Sequence, residues 1–145
     1  MKQFAVAVFL AVGLILVGCG SNNSTPANIN GTWNATLIDS NNVTAFSFGT
    51  SLMVNGDGSL SISNFTFTSN SPCFVSSETA SGSFKLSGDL NGNVNGTFGF
   101  VVNSGTPAGN TITLTGMATG NTISGTWKMN GTGCSGSGTF TMTKM

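Results

Sequence analysis

From Ile29 onward, apolar and polar residues alternate with a period of two, a pattern that admits little besides β-strands. Trp33, Ala35 and Leu37 fall on one side of a segment whose other side is Thr32, Asn34 and Thr36. The same beat runs through Phe46 and Phe48, Leu52 and Val54, Leu60 and Ile62, and Phe84 and Leu86. It continues in Val94, Phe98, Phe100 and Val102, in Ile112 and Leu114, in Ile123, Trp127 and Met129, and in Phe140 and Met142. After residue 20 no stretch carries a helical repeat, and Gly and β-branched Thr are spread throughout. The chain is all-β, with one buried face per strand.

Turn chemistry agrees with that reading. Asn55-Gly56-Asp57-Gly58, Asp89-Leu90-Asn91-Gly92, Gly120-Asn121 and Asn130-Gly131 supply the positive-φ residues that tight hairpins require. Their spacing predicts about eight to ten sequentially paired antiparallel strands. Parity switches at Asn64, between Leu60/Ile62 and Phe65/Phe67, which calls for a bulge or a strand break.

A short pattern recurs in Ile29-Asn-Gly-Thr-Trp33, Val94-Asn-Gly-Thr-Phe98 and Ile123-Ser-Gly-Thr-Trp127, with echoes at Gly82/Phe84 and Gly138/Phe140. Glycine stands two positions before a large aromatic, on the same strand face. The missing side chain leaves room for a neighbouring ring and permits the strong curvature that barrel closure needs. Gly31-Thr32-Trp33 resembles the Gly-x-Trp that opens the first strand of lipocalin-like barrels. The expected architecture is a small antiparallel meander barrel, with a two-sheet sandwich as the alternative.

Cys73 and Cys134 lie in this β region. If they pair, they close a span of 61 residues and tie the loop before Glu78 to the final hairpin; otherwise they remain two free thiols. The chain has no Cys-x-x-Cys, and no base stands near either sulfur in sequence, so a redox role is not expected.

The first residues read differently. Met1-Lys2-Gln3 is a short, singly charged start, and Phe4 to Val17 is uninterruptedly apolar. As a helix those 14 residues would span about 21 Å, short of a ~30 Å hydrocarbon core. That length suits a cleaved export signal. The run ends in Leu16-Val17-Gly18-Cys19, which resembles the bacterial lipobox. The resemblance implies a diacylglyceryl group on the Cys19 thiol, cleavage between Gly18 and Cys19, and acylation of the new amine. It divides the chain into a signal (1–18), a lipidated Cys with a flexible tether (19–28) and a β domain (29–145). Gly20 stands where an Asp would retain such a protein at the inner membrane, so the resemblance points to the outer membrane.

Composition excludes more than it suggests. The chain has no His, no Arg and no Tyr, and the mature part sets Lys85, Lys128 and Lys144 against Asp39, Asp57, Glu78 and Asp89. Without clustered cations, nucleic acid is not an expected partner. Without His, the common general base, metal ligand and triad member are missing. Three positions before each mature lysine stand Gly82, Gly125 and Thr141, so no Ser-x-x-Lys dyad exists. Asp57 and Asp89 sit in Gly-rich turns and Asp39 at a strand end, where turn formation is the simpler role. No catalytic residue, metal site or cofactor is expected. The expectation is a non-enzymatic envelope lipoprotein acting as a structural or interaction module, bound to a membrane through Cys19. A carrier of a small apolar ligand is the alternative, and an inhibitor of a hydrolase a more distant one.

Overall fold

The computed structural model of the chain describes residues 28–74, 77–88, 94–105 and 109–145. Eight strands account for most of them: β1 (Gly31–Asp39), β2 (Thr44–Val54), β3 (Leu60–Ser69), β4 (Thr79–Gly88), β5 (Val94–Asn103), β6 (Thr111–Thr119), β7 (Thr122–Gly131) and β8 (Cys134–Lys144). No helix occurs among the described residues.

The sheet order is β3-β2-β1-β8-β7-β6-β5-β4, antiparallel throughout. Sequential neighbours therefore pair everywhere except between β3 and β4, and β8 returns to pair with β1. The result is a nearly closed, barrel-shaped up-and-down sheet with one seam. At the seam a single bridge joins Ser59 to Ser83, supported by the Phe84 N–H donating to the Gly58 carbonyl at 2.8 Å. The chain joins β1 at what we call the near end, with the β2–β3 and β6–β7 turns. The β1–β2, β3–β4, β5–β6 and β7–β8 connections lie at the far end.

The alternating residues point inward as their period requires. Trp33, Phe98, Phe100, Phe140, Leu37, Ile112, Leu114, Ile123 and Met142 are fully buried. Rings from facing walls meet across the interior. Phe48 of β2 stacks on Phe100 of β5 at 5.2 Å between centroids, and Phe46 of β2 meets Trp127 of β7 edge-on at 5.5 Å. Each such pair contributes about 0.5–1.5 kcal/mol beyond the area it buries.

Each mouth is covered by a residue outside the strands. Ile29 covers the near end, its carbonyl accepting the Trp33 indole N–H at 2.7 Å. Phe74 covers the far end, packed on Phe46 and Phe67 at 5.7 and 5.4 Å.

The parity switch at Asn64 is a β-bulge. Between the Gly49–Thr66 and Ser51–Ser63 pairs, β3 has one more residue than β2, and Asn64 adopts φ 51°. The glycine reading holds at Gly96, where a Cβ would strike the Phe84 ring, and at Gly82, where it would come within 3.1 Å of Phe100. Elsewhere the reason differs. The space beside Gly31 is taken by the Lys144 stem, and that beside Gly125 by the β6 backbone at Thr115 and Gly116. The hairpin expected at Asn130-Gly131 is displaced. Both residues belong to β7, and the turn falls at Thr132-Gly133, with Gly133 at φ 71°. The turn expected at Asp89–Gly92 lies outside the described residues.

Candidate functional site

Two places concentrate polar groups against the barrel core. The first is at the far end. Cys73, in the β3–β4 connection, is disulfide-bonded to Cys134 at the start of β8, with Cα atoms 6.0 Å apart. This is the pairing alternative read from the sequence, and no free thiol remains among the described residues.

Asn110 sits behind the bridge, 1% exposed. Its Nδ2 donates to the Cys73 carbonyl at 2.9 Å and lies 3.4 Å from Cys134 Sγ. Its backbone N–H donates to Ser104 Oγ at 3.0 Å, and its carbonyl accepts the Ser104 N–H at 2.9 Å. Exchanging the amide atoms would set oxygen against the Cys73 carbonyl, so this orientation is fixed. Oδ1 has no hydrogen-bond partner and occupies the space where Gly131 would carry a Cβ. Glycine there offers the oxygen a Cα–H contact, a weak replacement for a hydrogen bond. Nothing in the sequence marks Asn110, which follows the Gly/Pro-containing run Ser104–Gly109 and lacks strand periodicity.

The second place is an open recess of about 550 Å³ at the near end. Ile29, Val54, Phe84 and Leu86 form its apolar side, and Asn30, Asn55 and Lys85 its polar side. Much of this polarity is already spent within the fold. Asn30 Oδ1 accepts the Val54 N–H at 2.9 Å, and Asn55 Nδ2 donates to Ser59 Oγ at 2.9 Å.

The carboxylates expected to form turns do so. Asp39 Oδ1 accepts the backbone N–H groups of Val43 at 2.9 Å and Asn41 at 2.8 Å, closing the β1–β2 hairpin. Asp57 Oδ1 accepts Ser59 Oγ at 2.6 Å and the Ser59 N–H at 2.9 Å. Hydrogen bonds to the charged form hold both carboxyls below the ordinary 3.8: for Asp39 chiefly the Val43 N–H, for Asp57 chiefly the Ser59 hydroxyl. Asp57 reaches the backbone N–H and hydroxyl of the residue two positions on, the local contact of an Asx turn.

A carboxyl with a lowered folded pKa adds stability above its unfolded value, which is lost as the pH falls through the folded value. Thermal melts from about pH 5 down to about pH 2 are therefore expected to show a decline below pH 4 that shrinks in Asp39→Asn/Asp57→Asn. An unchanged acid profile in that variant would remove both carboxyls from the account.

Asp39 and Asp57 lie at opposite ends of the barrel and cannot share a substrate. Glu78 follows the β3–β4 connection at the far end, and Asp89 lies outside the described residues. Among the described residues no three His, Cys, Asp or Glu side chains gather as metal ligands would. Gly18 and Cys19 also lie outside the described residues. Comparison with protein-family models, curated proteins and solved structures finds no match to this chain.

Proposed function

We propose that this chain is a bacterial envelope lipoprotein, held on a membrane through acylated Cys19, whose β-barrel serves as a non-enzymatic structural or interaction module. The observation that carries the reading is Leu16-Val17-Gly18-Cys19 closing the apolar run Phe4 to Val17. The formed Cys73–Cys134 bridge supports it, since disulfides persist in oxidising, exported compartments. Anchoring by two or three acyl chains, at about 0.8 kcal/mol per buried methylene, is stable where a single chain is not. Gly20, in the position that would otherwise hold a retaining Asp, favours the outer membrane.

The chemistry of the barrel fits a binding or structural role better than turnover. The chain contains no histidine, and its two hydrogen-bonded carboxylates cap turns at opposite ends. The carrier alternative has less support, because stacked rings cross the interior where a ligand would lie. The recess at the near end opens to solvent.

Mass spectrometry of the protein from membranes tests the proposal directly. The expected mature chain begins at Cys19 and carries acyl groups that resist reduction of the disulfide. Cys19→Ala is expected to lose those groups and to accumulate with its signal uncut. A wild-type chain that begins elsewhere, or is found soluble with an unmodified Cys19, would overturn the assignment.

A further inference from the structure

Among the described residues the exposed large apolar side chains are Val43, Met53, Leu86, Met117 and Met145. Four of these five stand at the near end. Met53 is the penultimate residue of β2, Leu86 and Met117 lie two residues from the ends of β4 and β6, and Met145 follows β8. The Met145 N–H donates to the Thr32 carbonyl at 2.9 Å at the start of β1, and its thioether turns back along the outer wall to accept the Asn34 Nδ2–H at 3.1 Å. In the up-and-down order β2, β4 and β6 are alternate strands, so Met53, Leu86 and Met117 are distributed around the rim. Val43, in the β1–β2 hairpin, is the one at the far end.

The surroundings make this distribution unusual. The outer wall of the barrel is Thr, Ser and Asn. Met117 has Thr97 and Ser124 as its cross-strand neighbours, and Met53 has Ser61. Leu86 continues the inward row of Phe84 but is half exposed, because the row ends in the recess beside Ile29 at the near end. A rim facing only water would gain nothing from these substitutions of the prevailing hydroxyls.

We infer that the near end is a membrane-facing surface, with the barrel standing end-on against a lipid bilayer and Met53, Leu86 and Met117 entering the boundary between headgroups and acyl chains. The inference rests on the lipid-anchor reading of Cys19 and deepens it. The chain enters the barrel at this same end through Asn28–Asn30, so the rim is the part of the domain closest to the anchor. Cys19 and Asn28 are nine residues apart in the sequence, so the rim can stand no more than about 32 Å from the anchor. A link of that reach keeps the rim near the bilayer at high effective concentration, with the far end a barrel's length beyond it. Unbranched Met and Leu side chains suit an interface where no fixed partner shape is offered.

Charge contributes little to this contact. Lys85 and Lys144 are at the near end, but Asp57 is there too, and Lys144 Nζ is already donated to the Asn28 carbonyl at 3.0 Å. The contact therefore belongs to zwitterionic lipid as much as to anionic lipid.

The test uses the acylated full-length mature chain carrying Val43→Met, reconstituted in phosphatidylcholine vesicles and exposed to hydrogen peroxide. In the domain itself the exposures are comparable: Met53 55% and Met117 42%, against 58% at position 43. On the vesicle, sulfoxide formation at Met53 and Met117 is expected to be about threefold or more slower than at position 43, read by peptide mass spectrometry. Equal rates at all three positions would overturn the inference, as would protection centred on position 43. Protection in native membranes but not in pure phosphatidylcholine would give the rim to a protein partner and overturn it too. Failure of the anchor reading is seen separately, as an intact mass without acyl groups and a chain that does not float with the vesicles.

Discussion

Removal of the disulfide in Cys73→Ser/Cys134→Ser is expected to lower the unfolding free energy by roughly 4 kcal/mol, the chain-entropy value for a closed loop of this size. The bridge spans 61 residues, from the β3–β4 connection to the start of β8, and so encloses β4 to β7 entirely. Against a typical total of about 5–15 kcal/mol, that loss is a large fraction of the stability. It corresponds to a fall in Tm of about 10–25 °C for a domain of this size. The native contacts around the bridge are largely independent of it. Asn110 still holds the Cys73 carbonyl, and Phe74 still packs on Phe46 and Phe67. The loss should therefore arise mainly in the unfolded chain, slowing folding more than it speeds unfolding. Chevron kinetics of the two chains check this. A loss below about 1 kcal/mol would mean that the reduced unfolded chain already keeps these segments close.

The period-two pattern made the strands legible, because a half-buried strand must alternate whatever its neighbours are. Trp33/Ala35/Leu37 and Ile112/Leu114 are buried as their parity requires. Parity gives the face of a residue, however, and not its depth. Leu86 shares the row of Phe84 but is exposed, since only closure of the barrel decides where a row meets solvent. The seam was equally out of reach: β3 and β4 are consecutive yet joined only by the Ser59–Ser83 bridge, and no local signal sets them apart from the pairs that form. Turn chemistry misled at Asn130-Gly131, a strong hairpin dipeptide on its own. Gly131 is needed inside β7, where any side chain would displace the buried Asn110 amide. Asn110 itself was invisible, because its partner, the Cys73 carbonyl, is 37 residues away in the sequence. The proposed lipobox stands at the other extreme: a motif of that kind is contiguous and is recognised by processing enzymes, so its reading needs no fold.

Gly138→Ala, a single added methyl group, is expected to destabilise the barrel by about 3 kcal/mol, combining overpacking with a broken buried hydrogen bond. Gly138 of β8 pairs with Asp39 of β1 on one side and Trp127 of β7 on the other. A Cβ there would fall on the Ile38 carbonyl and 2.9 Å from Trp127 Nε1. These two groups form one hydrogen bond, at 3.0 Å, across β8. The methyl group therefore separates donor from acceptor and pushes β1 away from β8 at the contact that closes the sheet. Two other glycines set the scale. At Gly136 the nearest atoms are the side chains of Met129 and Trp127 at 3.3 Å, which can shift, so Gly136→Ala should cost less than about 1 kcal/mol. At Gly56 nothing lies within 4 Å and φ is not positive. Gly56→Ala is therefore expected to be neutral or to stabilise by up to about 1 kcal/mol through the unfolded state. Urea midpoints at constant m measure all three. Trp127→Phe separates the two causes at Gly138, since it removes the donor in advance. In that background the cost of Gly138→Ala should fall to the overpacking part, about 1–2 kcal/mol. An undiminished cost would place the whole effect in the backbone of β1, and equal costs at positions 138 and 56 would refute the steric account.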